Sequence, residues 1–293
     1  MIKRLFLLFA LLLIVGTVVA QDTETDTKAK IPFVQLNGNF SVPEINWVTE
    51  TGDNFVWFVN REINAQIYVT VVDTQDVSEA ISQTIPTLSN DKFDAPFLDG
   101  IAARTTGTWT VQLFESGDTS ISAYGMLQSG KVYVVLFAES SPNYKAYNYP
   151  IRPEILVPAE DEVENMLISS SDTVLKTVLS QDVTDAEISY PSADNSRWIL
   201  AQYSDTLATT DFLYDNLVFV TMVDGDTSSI TTLANAFDTV FLGFVITPDN
   251  SEYLYLGLTF ASVIMLALLG SMWLRYKNVQ KDMALLEELR DEE

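Results

Sequence analysis

The stretch from Tyr253 to Leu274, YLYLGLTFASVIMLALLGSMWL, constrains this chain more than any other. It carries no charged residue and matches the roughly 20 residues that a helix needs to cross bilayer hydrocarbon. Tyr253 and Tyr255 stand at one end, with Trp273 and Tyr276 at the other, where amphipathic rings favour the headgroup level. Arg275, Lys277 and Lys281 follow the span, whereas Asp249 and Glu252 precede it. A basic excess marks the cytoplasmic flank. The sequence therefore predicts a transmembrane helix over 253–274, a cytoplasmic tail over 275–293, and everything earlier outside the plasma membrane, as a single-pass type I protein.

The N-terminus has an apolar run of another kind. Lys3 and Arg4 form a positive start, Leu5 to Val15 a short apolar core, and Val18-Val19-Ala20 a small-residue cleavage site. This pattern predicts a signal peptide over 1–20, with an uncleaved signal anchor as the alternative. Residues 21–33 are mostly polar and read as a flexible spacer.

Composition narrows the chemistry by what it lacks. The chain has no cysteine, so an exported domain must draw its stability from a core and not from disulfides. It has no histidine either, which removes Ser-His-Asp and Cys-His catalysis and His- or Cys-based zinc sites. At 47% hydrophobic residues there is enough apolar surface for that core. The formal net charge of −24 repels polyanions, so nucleic acid is not an expected partner. No cofactor is expected.

Between the two ends, short β-rich runs alternate with turn residues. Strands are expected at Phe40–Pro43, Trp47–Val48, Phe55–Val59 and Ile67–Val72. Asp76-Val77-Ser78-Glu79 opens a helix that Pro86 ends or bends. Three further strands, Thr108–Phe114, Ser120–Leu127 and Lys131–Ala138, are separated by short Gly-containing turns. The last of them, KVYVVLFA, is apolar on both faces and should be covered on both. This predicts an α+β fold, an antiparallel sheet with helices, over 34–140. Residues 141–160, rich in Pro and Tyr, read as a surface connector. Over 161–250 the pattern predicts a helix, strands at Ala186–Tyr190, Trp198–Tyr203 and Leu217–Val223, and a last helix over 228–245.

The segment beginning at Asn46 aligns without a gap to the one beginning at Arg197. Trp47 then matches Trp198, and YVTVVD from Tyr68 matches FVTMVD from Phe219. A degenerate second copy of the first fold unit is expected over 161–250, lacking the three-strand meander. It would complete its sheet with the first copy or remain a smaller layer.

Phe40-x-x-Pro43 followed by Trp47, the Asp-led helix from Asp76 to Ile85, Trp109, Gly117-Asp118, Tyr124-Gly125 and Gly130-Lys131-Val132-Tyr133-Val134 together resemble the PsbP/Mog1-like α/β/α sandwich domain. The resemblance covers 34–140, more faintly 186–247, and is similar to copies found ahead of serine β-lactamase-like domains in exported bacterial proteins. It implies a binding or assembly module and not a catalyst. The hydrolase domain of those longer proteins is missing. The nearest approach to Ser-x-x-Lys is Thr173-Val174-Leu175-Lys176, with threonine in the nucleophile position.

Some residues invite functional readings. Asp224 and Asp226, and the group Asp91, Asp94 and Asp99, offer hard oxygen ligands of the kind calcium takes. Neither fits an EF-hand loop. Asp226 or Thr227 more simply caps the following helix. Trp47, Trp57, Trp109 and Trp198 could line a sugar- or peptide-binding groove, although strand tryptophans are usually core. Gly257 and Ala261 form a small-xxx-small pair that would let two copies of the membrane helix approach closely. The expected function is a non-catalytic, membrane-anchored extracytoplasmic binding or assembly module. The alternatives are a receptor relaying through its tail, whose Met283–Leu289 could form a docking helix, and a hydrolase that uses carboxylates alone.

Overall fold

The structure is a computed structural model and describes residues 33–36, 40–104, 107–153, 162–180, 182–183, 185–191, 197–246 and 251–291. The expected signal peptide and nearly all of the expected spacer lie outside the described residues. So does the stretch 154–160.

Among the described residues, fifteen strands form three antiparallel sheets. The largest has the order β3(Val48–Thr51), β4(Phe55–Asn60), β5(Ala65–Val72), β9(Lys131–Ser140), β8(Thr119–Gln128), β7(Gly107–Ser116), β6(Leu98–Arg104). The second runs β10(Tyr144–Ile151), β14(Leu217–Gly225), β13(Leu207–Tyr214), β12(Trp198–Ser204), β11(Glu187–Ser189). A small third sheet joins β1(Phe33–Leu36), β2(Phe40–Pro43) and β15(Val245–Ile246). The helices are α1(Val77–Thr84), α2(Val163–Leu179), α3(Ile230–Leu242) and α4(Ser251–Asp291). The mixed α+β class and the antiparallel pairing follow the expectation, and the expected second copy forms a sheet of its own with β10, beside a small third sheet.

Local chemistry sets the boundaries. Asp76 caps α1 by accepting the Glu79 N–H at 3.0 Å, and Pro86 lies in the 3-10 turn that closes it. The β8–β9 hairpin turns through Ser129 and Gly130, both at positive φ, the twist that two-residue hairpin loops require. Asp215 and Asn216 do the same between β13 and β14.

Alternation then builds the layers. On β9, Val132, Val134, Leu136 and Ala138 pack with Ala80 and Ile81 of α1, whereas Tyr133, Val135 and Phe137 face the opposite way into the main core. That core holds α3, whose Phe237 lies 4.3 Å from the Phe137 ring and whose Phe241 lies 4.4 Å from Tyr124 and 5.0 Å from Trp109. Phe219 and Val223 of β14 close it from the second sheet, while Val218, Val220 and Met222 turn to α2. Helix α3 is thus clasped between two sheets, and each sheet carries another helix on its far face.

Four segments depart from the sequence reading. The expected connector contains β10, a largely buried strand paired over eight positions with β14. It completes the second sheet, so that sheet does not borrow a strand from the first. Strands β6 and β13 were also not foreseen. Strand β2 pairs with β1 and β15 and not with the sheet that follows it.

The junction between the sheets is polar. β10 is an edge strand, and its free backbone groups meet side chains of β8. The Ser120 hydroxyl donates to the Ala146 carbonyl at 2.9 Å and accepts from its N–H at 3.2 Å. The Ser122 hydroxyl accepts the Asn148 N–H at 2.9 Å, and the Tyr124 hydroxyl donates to the Asn148 carbonyl at 3.1 Å. Asn148 in turn donates to Thr221 at 2.7 Å. Serines on the face of one sheet stand in for the strand that the other lacks, which satisfies backbone groups that burial would otherwise strand.

Strands β12, β13 and β14 and helix α3 begin within two residues of the positions 151 beyond the starts of β3, β4, β5 and α1, and each trio has the same antiparallel order. Helix α4 is one long helix, apolar enough over Tyr255–Ala284 to cross a membrane, and its described side chains are all exposed. It runs on through most of the expected tail, Met283–Leu289 included.

Candidate functional site

A cleft of about 550 Å³ opens where the chain passes from β2 to β3 and meets the outer face of α3. Glu44, Ile45, Asn46 and Trp47 form one wall, and Asn60 and Glu62 come from the end of β4 and the turn after it. Trp198 enters at the start of β12, and Thr231, Thr232, Asn235 and Thr239 line the helix side. The sequence places these groups for separate reasons. Leu233, Ala236, Phe237 and Val240 bury one stripe of α3, which leaves Thr231, Thr232, Asn235 and Thr239 on the opposite stripe. Trp47 immediately precedes β3 and Trp198 begins β12, strands that stand at the same place in the two β-β-β-α runs.

Both indoles are half-buried. Trp47 rests against the main core, and its backbone N–H donates to the Ile45 carbonyl at 2.8 Å, fixing the corner before β3. The Trp198 Nε1 is buried with no hydrogen-bond partner. Asn60 accepts the Glu62 N–H at 3.0 Å, which holds the turn bearing that carboxylate. Among the described residues no lysine or arginine lines the cleft. The volume is ordinary for a small-molecule site. The arrangement offers apolar ring surface, amides, hydroxyls and two exposed carboxylates, the equipment for holding a ligand in place.

The other two tryptophans divide. Trp109 is fully buried among Phe241 and Phe244, a core residue. Trp57 is half-buried on the far side, where it donates to Gln66 at 3.1 Å and meets Tyr68 edge-on. The structure thus brings Trp47 and Trp198 to one cleft and sends Trp57 and Trp109 elsewhere. Sequence reading missed Asn60, Glu62 and the polar stripe of α3. The stripe's helical spacing and the Trp47–Trp198 match were the signals available.

The acidic candidates lie apart from this cleft. Asp226 accepts the Ser228 N–H at 3.0 Å, and that bond holds its carboxyl below the usual range, so it serves as a helix cap. Asp224 is exposed at the end of β14, before Gly225, where φ is +126° and an added Cβ would stand 2.2 Å from the Asn143 carbonyl. Asp91, Asp94 and Asp99 are exposed, and Asp91 accepts from Thr119 at 3.1 Å. Among the described residues no group of three or more acidic side chains is placed to hold a metal ion. Thr173 and Lys176 are exposed; Thr173 bonds to the Ser169 carbonyl, and Lys176 to Asp182 at 2.7 Å.

Among the described residues, Asp211 and Glu139 are buried carboxyl groups, and desolvation also raises the pKa of Asp238 of α3 to about 8. Asp211 on β13 accepts from Ser171 of α2 and, at 3.4 Å, from Thr209, while its Oδ1 has no partner. Burial pushes its pKa up to about 8. Glu139 at the end of β9 is likewise raised to about 8 by burial, with Ser120 at 3.5 Å. Asp211 and Glu139 belong to different layers, one on the α2 face of the second sheet and one beside the sheet junction.

In α4, Tyr255, Trp273, Arg275, Tyr276 and Lys277 are exposed, and the Lys277 ammonium sits 4.2 Å over the Trp273 ring. Tyr253 occupies the first turn of α4, and its side chain lies outside the described residues. Gly257 and Ala261 are exposed one turn apart, with open space around Gly257.

No family model matches the chain, and no curated protein matches it. Among solved structures, a protein from Bacteroides thetaiotaomicron VPI-5482, known from a crystal structure at 1.50 Å resolution, aligns with 64% of this chain and 87% of its own length. The identity is 12% and the TM-score 0.22, a likeness too slight to carry an argument about fold or activity.

Proposed function

We propose that this chain is a non-catalytic binding module, held outside the plasma membrane by α4 in type I orientation, with the Trp47–Trp198 cleft as its ligand site. The observation that carries the reading is the lining of that cleft. It joins half-buried indoles to amides and hydroxyls, and none of its described lining residues is an activated nucleophile. The orientation rests on Arg275, Lys277 and Lys281 and on the signal-like N-terminus. The Gly257/Ala261 pair would serve homodimerisation in the bilayer. A degenerate duplication is supported by the matched starts and common order of β3-β4-β5-α1 and β12-β13-β14-α3. The PsbP/Mog1-like reading draws on the same elements, since antiparallel sheet and flanking helices are what that resemblance implies.

A photo-crosslinking residue placed at Asn235, within the cleft, and separately at Thr173, outside it, tests the site in native membranes. A specific adduct is expected from position 235 and not from 173. Equal labelling from both, or none from 235, would sink the reading.

A further inference from the structure

We infer that the cleft between Trp47 and Trp198 takes an uncharged, hydroxyl-rich ligand of the oligosaccharide class. The inference rests on the binding reading and narrows it. Two half-buried indoles in one cleft provide apolar ring faces of the kind that pack on the C–H face of a pyranose ring. Around them stand three amides, Asn46, Asn60 and Asn235, and threonine hydroxyls on the outer stripe of α3. Amides and hydroxyls both donate and accept, which suits vicinal hydroxyls that do the same. Glu44 and Glu62 add acceptors only.

Charge argues in the same direction. Among the described residues no lysine or arginine lines the cleft, and the protein carries −24, so phosphorylated, sulfated or carboxylated ligands meet net repulsion there. The competing occupant is a cation, drawn by the two carboxylates and the indole faces. Both carboxylates are exposed, where water and salt weaken their pull, while neutral donor–acceptor groups outnumber them in the lining. An open cleft on a fixed helix and two strand corners also matches an extended chain of rings better than one engulfed ion.

The test uses the full chain in liposomes of zwitterionic lipid, which avoids sugar-headed detergents. Tryptophan fluorescence and calorimetry follow titration with neutral gluco-, xylo- and N-acetylglucosamine oligosaccharides, and separately with an Arg/Lys-rich peptide. Saturable binding of a neutral oligosaccharide is expected, weakened about tenfold or more in Trp47→Ala and in Trp198→Ala, as loss of a ring contact implies. Trp57→Ala should leave it unchanged, and Trp198→Phe should retain most of it. An unchanged thermal melt for the phenylalanine variant separates lost contact from lost fold. Binding of the basic peptide alone, reduced by salt and by the same substitutions, overturns the ligand class and leaves the site. Binding of neither probe by the folded wild-type chain overturns the ligand class and the binding reading together.

Discussion

Asp211 shows how much one side chain in this fold depends on its surroundings. It is fully buried between β13 and α2, with Ser171 and Thr209 on one oxygen and nothing on the other. Burial disfavours the charged form, so the folded-state pKa rises from 3.8 to about 8. Between those values the folded protein holds a proton that the unfolded chain releases. The stability linked to Asp211 is therefore full below about pH 4 and is lost as pH rises to about 8. Glu139 acts with the same sign. Asp211→Asn removes the titration while keeping the shape, and the variant should melt above wild type at pH 8 and close to it at pH 5. A pH series of thermal melts checks this; an Asp211→Asn curve parallel to wild type across that range would refute it. None of this was legible beforehand, because the sequence shows Asp211 as one acid among 40 Asp and Glu.

At the scale of elements, the junction of β8 with β10 matters most. Ser120 alone satisfies both the N–H and the carbonyl of Ala146. Ser120→Ala should cost about 1–3 kcal/mol, since it leaves buried backbone groups unpaired. Ser82→Ala, which removes an exposed hydroxyl bonded within α1, should change the urea midpoint little. The contrast between those two midpoints is the measurement. The same junction explains why β10 was read as a connector. Its Tyr, Asn and Pro residues lack the β-branched signal. Pro150 shares the phase of Ala146 and Asn148, whose N–H groups face away from β14, so its missing donor breaks no bond of the ladder. Strand β13 was hidden for a related reason, since it buries Thr209, Thr210 and Asp211 where apolar residues are expected. Strands β4, β5 and β9 and helix α1 were legible, because β-branched runs and an Asp cap are local signals.

For the whole molecule, the decisive separation is between a packed α+β body and one long exposed apolar helix. The full chain should stay in the membrane fraction after alkaline carbonate washing, and a chain ending at Ile246 should not. In intact cells, external protease should digest the body and spare a C-terminal fragment beginning near Tyr253. A C-terminal tag open to that protease would overturn the type I orientation.

What the sequence determined by itself is whatever depends on residues close along the chain. The apolar span, its aromatic and basic flanks, the strands with β-branched alternation and the capped helix are all local. Even the internal match of Trp47 with Trp198 could be read there, because a gapless offset preserves order. Tertiary structure alone decided which tryptophans meet. Trp109 and Trp57 carry the same strand signal as Trp47 and Trp198, yet one is sealed in the core and the other packs on Tyr68. The three-sheet division, the role of β10 and the placement of the polar stripe of α3 beside two indoles were settled in the same way. Each depends on which distant surfaces bury one another, and that is a property of the packed chain and not of any window along it.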